Sequence, residues 1–182
     1  LLELGGNNAI IVTPSADIAL TIRAAVFGAV GTCGQRCTTT RRLIVHDTIY
    51  NEIKSKLVKA YEQLNIGNPL NTKNHIGPLI DEQAVQAYLK SLKDAEQQGG
   101  KIITQQGIVE GKKSKNYVYP AIVEVSGNLP VVLHETFAPI LYLMKYSDLS
   151  EAIALQNAVP QGLSSSILTN NLRDMELFLS CK

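Results

Sequence analysis

Hydrophobic residues along the chain follow two alternating spacings, which predict strands and helices in turn. The β-branched run Ala-Ile-Ile-Val at residues 9–12, ended by Pro14, predicts a short buried strand. From Asp17 onwards, apolar residues recur at helical spacing as far as a group of glycines, which predicts a helix. Further strands are predicted at residues 43–45, 102–103, 117–125, 140–144 and 164–168, and further helices at residues 49–64, 84–95, 149–158 and 172–179.

The order of these elements predicts the fold class. Strands that alternate with helices favour parallel pairing, with helices covering the sheet. We therefore predict an α/β fold, a three-layer α/β/α domain with a mostly parallel sheet, in which the 117–125 region is a candidate for antiparallel pairing. The sequence has no internal repeat and no low-complexity segment, so residues 1–182 are expected to form one domain.

Composition and charge exclude several classes of function. The chain has 182 residues, 45% of them apolar, which is enough for a core without a disulfide or metal. Its 17 basic residues balance 16 acidic ones, and a net charge of +1 gives no electrostatic basis for binding nucleic acid or an anionic membrane. Its apolar runs are far shorter than the roughly 20 residues that span a bilayer. Neither a membrane span nor export is predicted.

Three cysteines are too few, and odd in number, for a disulfide framework, which favours a reducing compartment. A cytoplasmic location is therefore expected. The sequence begins without a methionine and stops inside a predicted helix, so it is expected to be part of a longer protein.

The segment from Gly31 to Cys37 carries the most suggestive chemistry. Its glycines allow the backbone to approach a ligand closely, and Arg36 places a positive charge beside the Cys37 thiol. A nearby cation favours the thiolate, which is the nucleophilic form, so Cys37 is a candidate nucleophile. The alternative is that Cys33 and Cys37 are small apolar core residues one helical turn apart.

Two other kinds of site have weaker support. A cysteine–histidine hydrolase needs an imidazole next to Cys37, and only His134, beside Glu135, has a suggestive neighbour. No metal site is predicted, because the histidines are isolated and no Cys-x-x-Cys pair exists.

Glu3 is a candidate general base, since burial among apolar neighbours would raise the pKa of its carboxyl towards neutrality. The alternative for Glu3 is a surface carboxylate at a frayed terminus.

Three short motifs together resemble the aldehyde dehydrogenase superfamily. They are Glu-Leu-Gly-Gly at residues 3–6, Gly-Gln-Arg-Cys at 34–37 and Glu-Thr-Phe-Ala-Pro at 135–139, in the order and at the spacing of that superfamily. The resemblance covers the whole chain but only the catalytic domain of such an enzyme. Within the superfamily the chain is most similar to the antiquitin branch, the α-aminoadipic semialdehyde (piperideine-6-carboxylate) dehydrogenases, at residues 2–11, 34–39, 134–141 and 161–167.

The resemblance implies a role for each matching residue. Cys37 matches the nucleophile that forms a thiohemiacetal and then a thioester, and Glu3 matches the base that activates the hydrolytic water. The oxyanion hole of the family uses the N–H of the nucleophile and an asparagine that this chain does not supply. Leu4 matches the residue whose backbone carbonyl holds the nicotinamide carboxamide, and Gly5 is a further cofactor-binding position. Glu135 matches the residue that binds the nicotinamide ribose, and Phe137 the aromatic residue beside it.

Arg36 is the branch feature with a clear physical meaning. A guanidinium next to the nucleophile can take a substrate carboxylate as a bidentate partner, and it would repel a cationic betaine aldehyde. The alternative is a structural arginine that caps nearby carbonyl groups.

The resemblance also implies what this chain lacks. No dinucleotide-binding Gly-x-Gly-x-x-Gly motif is present, so the domain that binds NAD or NADP is expected to lie outside this chain. The chain alone is expected to bind no cofactor and to be inactive, and the complete enzyme is expected to be a homodimer or homotetramer. The alternatives are a related dehydrogenase for another aldehyde, such as betaine aldehyde or succinic semialdehyde, and a non-catalytic assembly or binding module of the same fold.

Overall fold

The computed structural model describes residues 5–180, which form a single sheet flanked by helices. The strands are β1 (Asn8–Val12), β2 (Thr40–His46), β3 (Lys101–Ile102), β4 (Ala121–Glu124), β5 (Ile140–Tyr146) and β6 (Ser165–Leu168). The α-helices are α1 (Ile18–Val30), α2 (Asp47–Glu62), α3 (Glu82–Gln97), α4 (Pro130–Leu133), α5 (Leu149–Asn157) and α6 (Leu172–Leu179). A 3₁₀ turn at Gly31–Gly34 follows α1.

The sheet has the order β3-β4-β5-β2-β1-β6. All neighbouring strands from β4 to β6 pair in parallel, and β3 pairs with β4 in antiparallel fashion. This confirms the predicted α/β class with a mostly parallel sheet. The 117–125 region contains both kinds of pairing, because β4 is parallel to β5 while Val118 forms an antiparallel bridge with Ile108.

Helices cover both faces of the sheet because the chain reverses direction across it. The steps from β1 to β2 and from β2 to β4 run one way, through α1 and α2, whereas the step from β5 to β6 runs the opposite way, through α5. Right-handed crossovers in opposite directions place their helices on opposite faces. In agreement, α1 and α2 pack against each other, and α5 packs against β1 and β5.

The core lies between the central strands and the inner faces of these helices. Every residue of β1 is buried, as are six of the seven residues in β2 and in β5, which is typical of parallel strands covered on both faces. Tyr50, Ile53 and Leu57 of α2 recur at helical spacing and are almost fully buried against them.

Aspartate or asparagine side chains cap the starts of four helices. Asp17 accepts a hydrogen bond from the backbone of α1, Asp81 from α3, Asp148 from α5 and Asn171 from α6. The short helix α4 was not predicted, since its four residues are too few for a periodic pattern. Within residues 5–180 no helix is both long and apolar enough to cross a membrane.

The parallel pairing also brings distant segments together. The segments before β1, β2, β5 and β6 all lie at the edge where these strands begin, which we call the amino-terminal edge. These four segments overlap the stretches of sequence that carry the family resemblance, at residues 2–11, 34–39, 134–141 and 161–167.

Candidate active site

The Cys37 loop begins with a left-handed turn. Thr32, Cys33 and Gly34 have backbone φ values of 53°, 56° and 68°, which residues other than glycine seldom adopt. The turn ends α1 and directs the chain towards β2. A Cβ atom on Gly34 would collide with the Ala138 carbonyl group, so this position needs glycine for both its conformation and its packing.

The Gly5–Gly6 pair lies between the other two motifs. A Cβ atom on Gly5 would collide with the Glu135 carboxylate, and one on Gly6 would collide with the Cys37 carbonyl oxygen. Gly5 also has a φ of 77°. The structure therefore brings Gly5, Cys37 and Glu135 together, and the absence of side chains at the glycine pair allows this approach.

Asn8 joins the Cys37 loop to a fourth segment. Its side-chain Nδ2 donates to the Cys37 carbonyl at 2.7 Å and to the Thr39 carbonyl at 2.9 Å. Its Oδ1 accepts from the Ser164 N–H at 3.1 Å. This role was not predicted, although an amide side chain at the start of a buried apolar strand is a signal that could have indicated it.

Arg41 is a second residue whose role was not predicted from the sequence. It is 3% exposed, and its guanidinium donates to the Gly6 carbonyl and the Arg36 carbonyl, each at 3.3 Å, and to the Thr136 carbonyl. It also forms an ion pair with Glu135 at 3.3 Å. Burial lowers the pKa of the Arg41 guanidinium, and the Glu135 carboxylate opposes this shift. The sequence signal that could have indicated this role is the presence of two adjacent arginines, Arg41 and Arg42, at the start of a buried strand.

Phe137 lies next to this ion pair. Its ring is 40% exposed, and the Arg41 guanidinium carbon lies 5.3 Å from the ring centroid. Phe137 and Glu135 line a cavity of about 420 Å³ between α3 and α4, together with Ser91, Asp94 and Thr136. This cavity gives a ligand access to both predicted cofactor-binding side chains.

Arg36 turns back towards the end of α1. Its guanidinium carbon lies 5.3 Å from the centroid of the Phe27 ring, and its Nη2 donates to the Phe27 carbonyl at 3.4 Å. This is the carbonyl-capping arrangement that the sequence left open as an alternative. The Arg36 Nε is buried without a hydrogen-bond partner, so the side chain retains a donor that is not used.

The two described cysteines differ in accessibility. Cys33 is 1% exposed, and burial raises the pKa of its thiol to about 12, which makes it unreactive at neutral pH. Cys37 is free and partly exposed. Cys33 is therefore a core residue, and Cys37 is the accessible thiol of the loop. Cys181, Glu3 and Leu4 lie outside the described residues.

The geometry gives no support to a cysteine–histidine hydrolase or to a metal site. Between residues 5 and 180, no histidine is hydrogen-bonded to Cys37; His134 is exposed and lies on the cavity beside Glu135. In the same part of the chain, no group of three or more His, Cys, Asp and Glu side chains could hold a metal ion.

The fold and the site together define a doubly wound α/β domain with an accessible thiol at its amino-terminal edge. The Aldehyde dehydrogenase family matches residues 1–180, and the chain belongs to this family. It is 52% identical over 169 residues to "Aldehyde dehydrogenase family 7 member A1" of Pisum sativum, covering 93% of this chain and 33% of that protein. It is 46% identical over 173 residues to "Alpha-aminoadipic semialdehyde dehydrogenase" of Mus musculus, covering 94% and 32%.

Solved structures agree with the family assignment. PnpE in complex with nicotinamide adenine dinucleotide superposes with a TM-score of 0.93 at 29% identity, over 97% of this chain and 37% of that one. A 3,6-anhydro-L-galactose dehydrogenase in complex with NAP superposes with a TM-score of 0.94 at 26% identity, over 98% and 38%. The chain spans about a third of the length of the curated relatives it matches.

Proposed function

We propose that this chain is the catalytic domain of an NAD(P)-dependent aldehyde dehydrogenase that oxidises an aldehyde to a carboxylate. The observation that carries this proposal is the meeting of Gly5, Cys37 and Glu135 at one edge of the sheet. Family membership supports the same reaction class. Among the described cysteines, Cys37 is the one that combines exposure with a backbone held on both sides.

The proposed chemistry is the reaction that the resemblance implies for Cys37 and Glu3. The Cys37 thiol loses its proton to solvent, its sulfur adds to the aldehyde carbon, and the carbonyl oxygen becomes an oxyanion that the Cys37 N–H can stabilise. Bound NAD(P), held at its nicotinamide end by Glu135 and Phe137, would supply the hydride acceptor, and loss of the hydride from that carbon would leave a thioester on Cys37. Glu3 then takes a proton from a water molecule, and the hydroxide releases the carboxylate and restores the thiol.

Glu135 and Phe137 have the chemistry to hold the nicotinamide end of the cofactor. The Glu135 side chain is 15% exposed, and its Oε1 is held by Arg41, so the carboxylate is fixed and still reachable by ribose hydroxyl groups. The exposed Phe137 ring offers an apolar face beside it. We assign Leu4 and Gly5 to the same end of the cofactor on the basis of the sequence resemblance. Contacts to the rest of NAD(P) belong to a domain outside this chain.

We further propose α-aminoadipic semialdehyde as the substrate, with Arg36 binding its carboxylate. The likeness to the mouse relative of that name supports this choice. Arg36 would have to leave the Phe27 carbonyl, which it contacts at 3.4 Å with one nitrogen. A bidentate carboxylate is a stronger partner for a guanidinium than a single neutral carbonyl. Betaine aldehyde and succinic semialdehyde remain the competing substrates.

The assembly and location of the complete enzyme are also part of this proposal. We propose a homodimer or homotetramer in the cytoplasm, with no nucleic-acid or membrane partner. Size-exclusion chromatography with light scattering on the complete enzyme tests the assembly, and a monomer would contradict it.

A chimera tests the proposed reaction. Residues 1–182 would replace the corresponding third of the pea relative, and NADH formation with α-aminoadipic semialdehyde would be followed by absorbance. We expect an active chimera and complete loss of activity in Cys37→Ser, whereas Cys33→Ser should remain active. Equal activity of the chimera and its Cys37→Ser variant would refute the proposal. The 182-residue chain alone should form no NADH, because the domain that holds most of the cofactor is missing.

The same chimera tests the role of Arg36. Arg36→Ala should raise KM for the carboxylate-bearing semialdehyde about ten- to a hundredfold, since a charge-assisted hydrogen bond contributes about 1.5–3 kcal/mol. An uncharged aldehyde of similar length should be much less affected. The exposed Arg23, on α1, provides the control substitution Arg23→Ala. Equal losses on both substrates would mean that Arg36 only supports the loop.

A further inference from the structure

We propose that Arg41 is a positioning residue that holds the Arg36–Cys37 peptide group and so aims the Cys37 N–H at the oxyanion. The proposal rests on the proposed function, since it concerns the donor that the thiohemiacetal needs. Arg41 lies at the start of β2, four residues after Cys37. Its guanidinium reaches back over the loop to the carbonyl group of Arg36 at 3.3 Å.

Peptide planarity connects this contact to the chemistry. The Arg36 carbonyl and the Cys37 N–H belong to one peptide group, and in a trans peptide they point in opposite directions. Within residues 5–180 all peptide bonds are trans. A donor that fixes the carbonyl therefore fixes the direction of the N–H. A charged donor also polarises the peptide group, which makes the N–H a stronger hydrogen-bond donor.

The rest of the loop leaves little freedom for this peptide group. The Thr39 N–H donates to the same Arg36 carbonyl at 3.0 Å, and Asn8 holds the next carbonyl, that of Cys37, at 2.7 Å. Both peptide groups that flank the Cys37 side chain are thus held through their carbonyl oxygens. Arg41 is the one of these donors that carries a charge.

Arg41 also links the loop to the cofactor side of the site. The same Nη2 that contacts the Arg36 carbonyl pairs with Glu135 at 3.3 Å, and the guanidinium lies over the Phe137 ring. Its Nε donates to the Gly6 carbonyl at 3.3 Å. One buried side chain thus contacts all three motifs. It therefore holds the Cys37 loop and the Glu135 carboxylate at a fixed distance and orientation relative to each other.

The neighbouring Arg42 shows that burial alone does not give this role. It is 1% exposed, but it donates to the carbonyl groups of Asn7, Leu155 and Gln156. Successive residues of a strand point to opposite faces, so Arg42 connects the residue before β1 to the end of α5 instead. Arg42 is therefore a matched control for Arg41: it has the same residue type, strand and burial, without a contact to the Cys37 loop.

Two reactions of Cys37 distinguish an effect on the direction of its N–H from an effect on the reactivity of its thiol. With p-nitrophenyl acetate, sulfur bonds to the carbonyl carbon through an oxyanion and p-nitrophenolate leaves with the electron pair of the broken C–O bond. The thiol proton goes to the buffer. With iodoacetamide, sulfur displaces iodide at carbon, and no oxyanion forms. The ratio of the two rates on the 182-residue chain therefore reports the oxyanion donor.

We expect Arg41→Lys and Arg41→Met to lower the ratio of acylation to alkylation about ten- to a hundredfold. A lost oxyanion donor lowers the rate by about 10²–10³, and a misdirected one by less. Lysine keeps the charge but lacks the planar fork that reaches several carbonyl groups, so it should not restore the ratio. Arg42→Lys and Arg23→Met should leave the ratio unchanged.

Alkylation of Cys33 in the same samples reports unfolding, because Cys33 is buried in the folded chain. If Arg41→Met fails to fold by this measure, Arg41→Lys still decides the question. An unchanged ratio in folded Arg41→Lys overturns the proposal, and so does a wild-type chain that is alkylated but not acylated at Cys37. Neither reaction requires an aldehyde or NAD(P). Failure here is therefore distinct from an inactive chimera, which would contradict the proposed function.

Discussion

The two edges of the sheet differ in how closely their backbone segments meet. At the amino-terminal edge, the Asn8 and Arg41 side chains bridge the segments, and backbone also meets backbone directly: glycines at positions 6 and 34 lie against the backbone of Cys37 and Ala138. At the opposite edge, where the parallel strands end, polar side chains connect the turns. Ser15 accepts from the Asn170 N–H at 3.0 Å and contacts the Thr169 hydroxyl at 2.9 Å.

This difference explains where the candidate site lies. Ligands of doubly wound sheets usually bind beyond the carboxyl ends of the strands. Here that edge holds helix caps, such as Asp148 on α5 and Asn171 on α6, whose polar groups are already used. The amino-terminal edge instead presents an accessible thiol and a partly exposed carboxylate on tightly packed backbone. A close-packed, glycine-dependent edge should tolerate substitution poorly, and a side-chain-capped edge should tolerate it better.

The largest expected effect separates the two thiols of the amino-terminal edge. Brief treatment of the chain with iodoacetamide at pH 8 should label Cys37 at least a hundred times faster than Cys33. With its pKa raised to about 12, Cys33 is roughly one part in ten thousand thiolate at that pH, and it is also buried. Peptide mass spectrometry measures both sites. Equal labelling would show that this edge does not present Cys37 selectively.

The second prediction compares one glycine from each edge. Gly34→Ala should destabilise the fold by about 2–4 kcal/mol, because alanine at a φ of 68° is strained and its Cβ meets the Ala138 carbonyl. Gly127, after β4 at the opposite edge, has nothing within 4 Å of an added Cβ. Gly127→Ala should change the free energy of unfolding by less than about 0.5 kcal/mol. Urea unfolding measures both, and similar losses would remove the contrast between the edges.

A third prediction concerns a cap at the carboxyl-terminal edge. Asn171→Ala should destabilise the chain by about 1 kcal/mol, because the Asn171 side chain caps α6 through the Arg173 N–H at 3.0 Å. Asn171→Asp keeps an acceptor and serves as the control. Far-ultraviolet circular dichroism with urea titration measures the change. A loss as large as that of Gly34→Ala would contradict the view that this edge is the more tolerant one.

The smallest expected effect depends on pH and involves Glu124, the last residue of β4. Burial alone would raise the pKa of its carboxyl, but hydrogen bonds from Lys54 at 2.7 Å and Tyr50 at 2.8 Å hold it below its usual value. A depressed pKa stabilises the fold above the unfolded value of about 4.3, and this stabilisation is lost as pH falls through the folded pKa.

Lys54→Met should therefore lower the free energy of unfolding at pH 7 by a few tenths of a kcal/mol and have less effect at pH 3. Lys56→Met is the control for loss of a surface lysine, because it removes only a solvent-exposed ion pair, with Glu52 at 3.4 Å on α2. Urea unfolding at the two pH values measures the difference. An equal effect at both values would mean that Lys54 acts through packing of its stem rather than through its charge.

The hydrophobic pattern determined most of the fold by itself. The strands at residues 9–12, 43–45 and 140–144 were predicted within a few residues of β1, β2 and β5, because strands buried on both faces need continuous apolar runs. The helix start at Asp17 was equally visible, since capping depends on residues close in sequence. Glycine spacing and the Cys37 motif also carried the family resemblance.

Tertiary structure alone decided how the site is held together. Arg41 contacts segments 35 and 95 residues away along the chain, at Gly6 and Thr136, and no local pattern shows such pairs. Asn8 likewise reaches Ser164 across the sheet. The direction of Arg36, back onto Phe27, depends on where α1 ends. Local sequence fixes capping, periodicity and glycine geometry, whereas partners distant in sequence are set only when parallel strands align their amino ends.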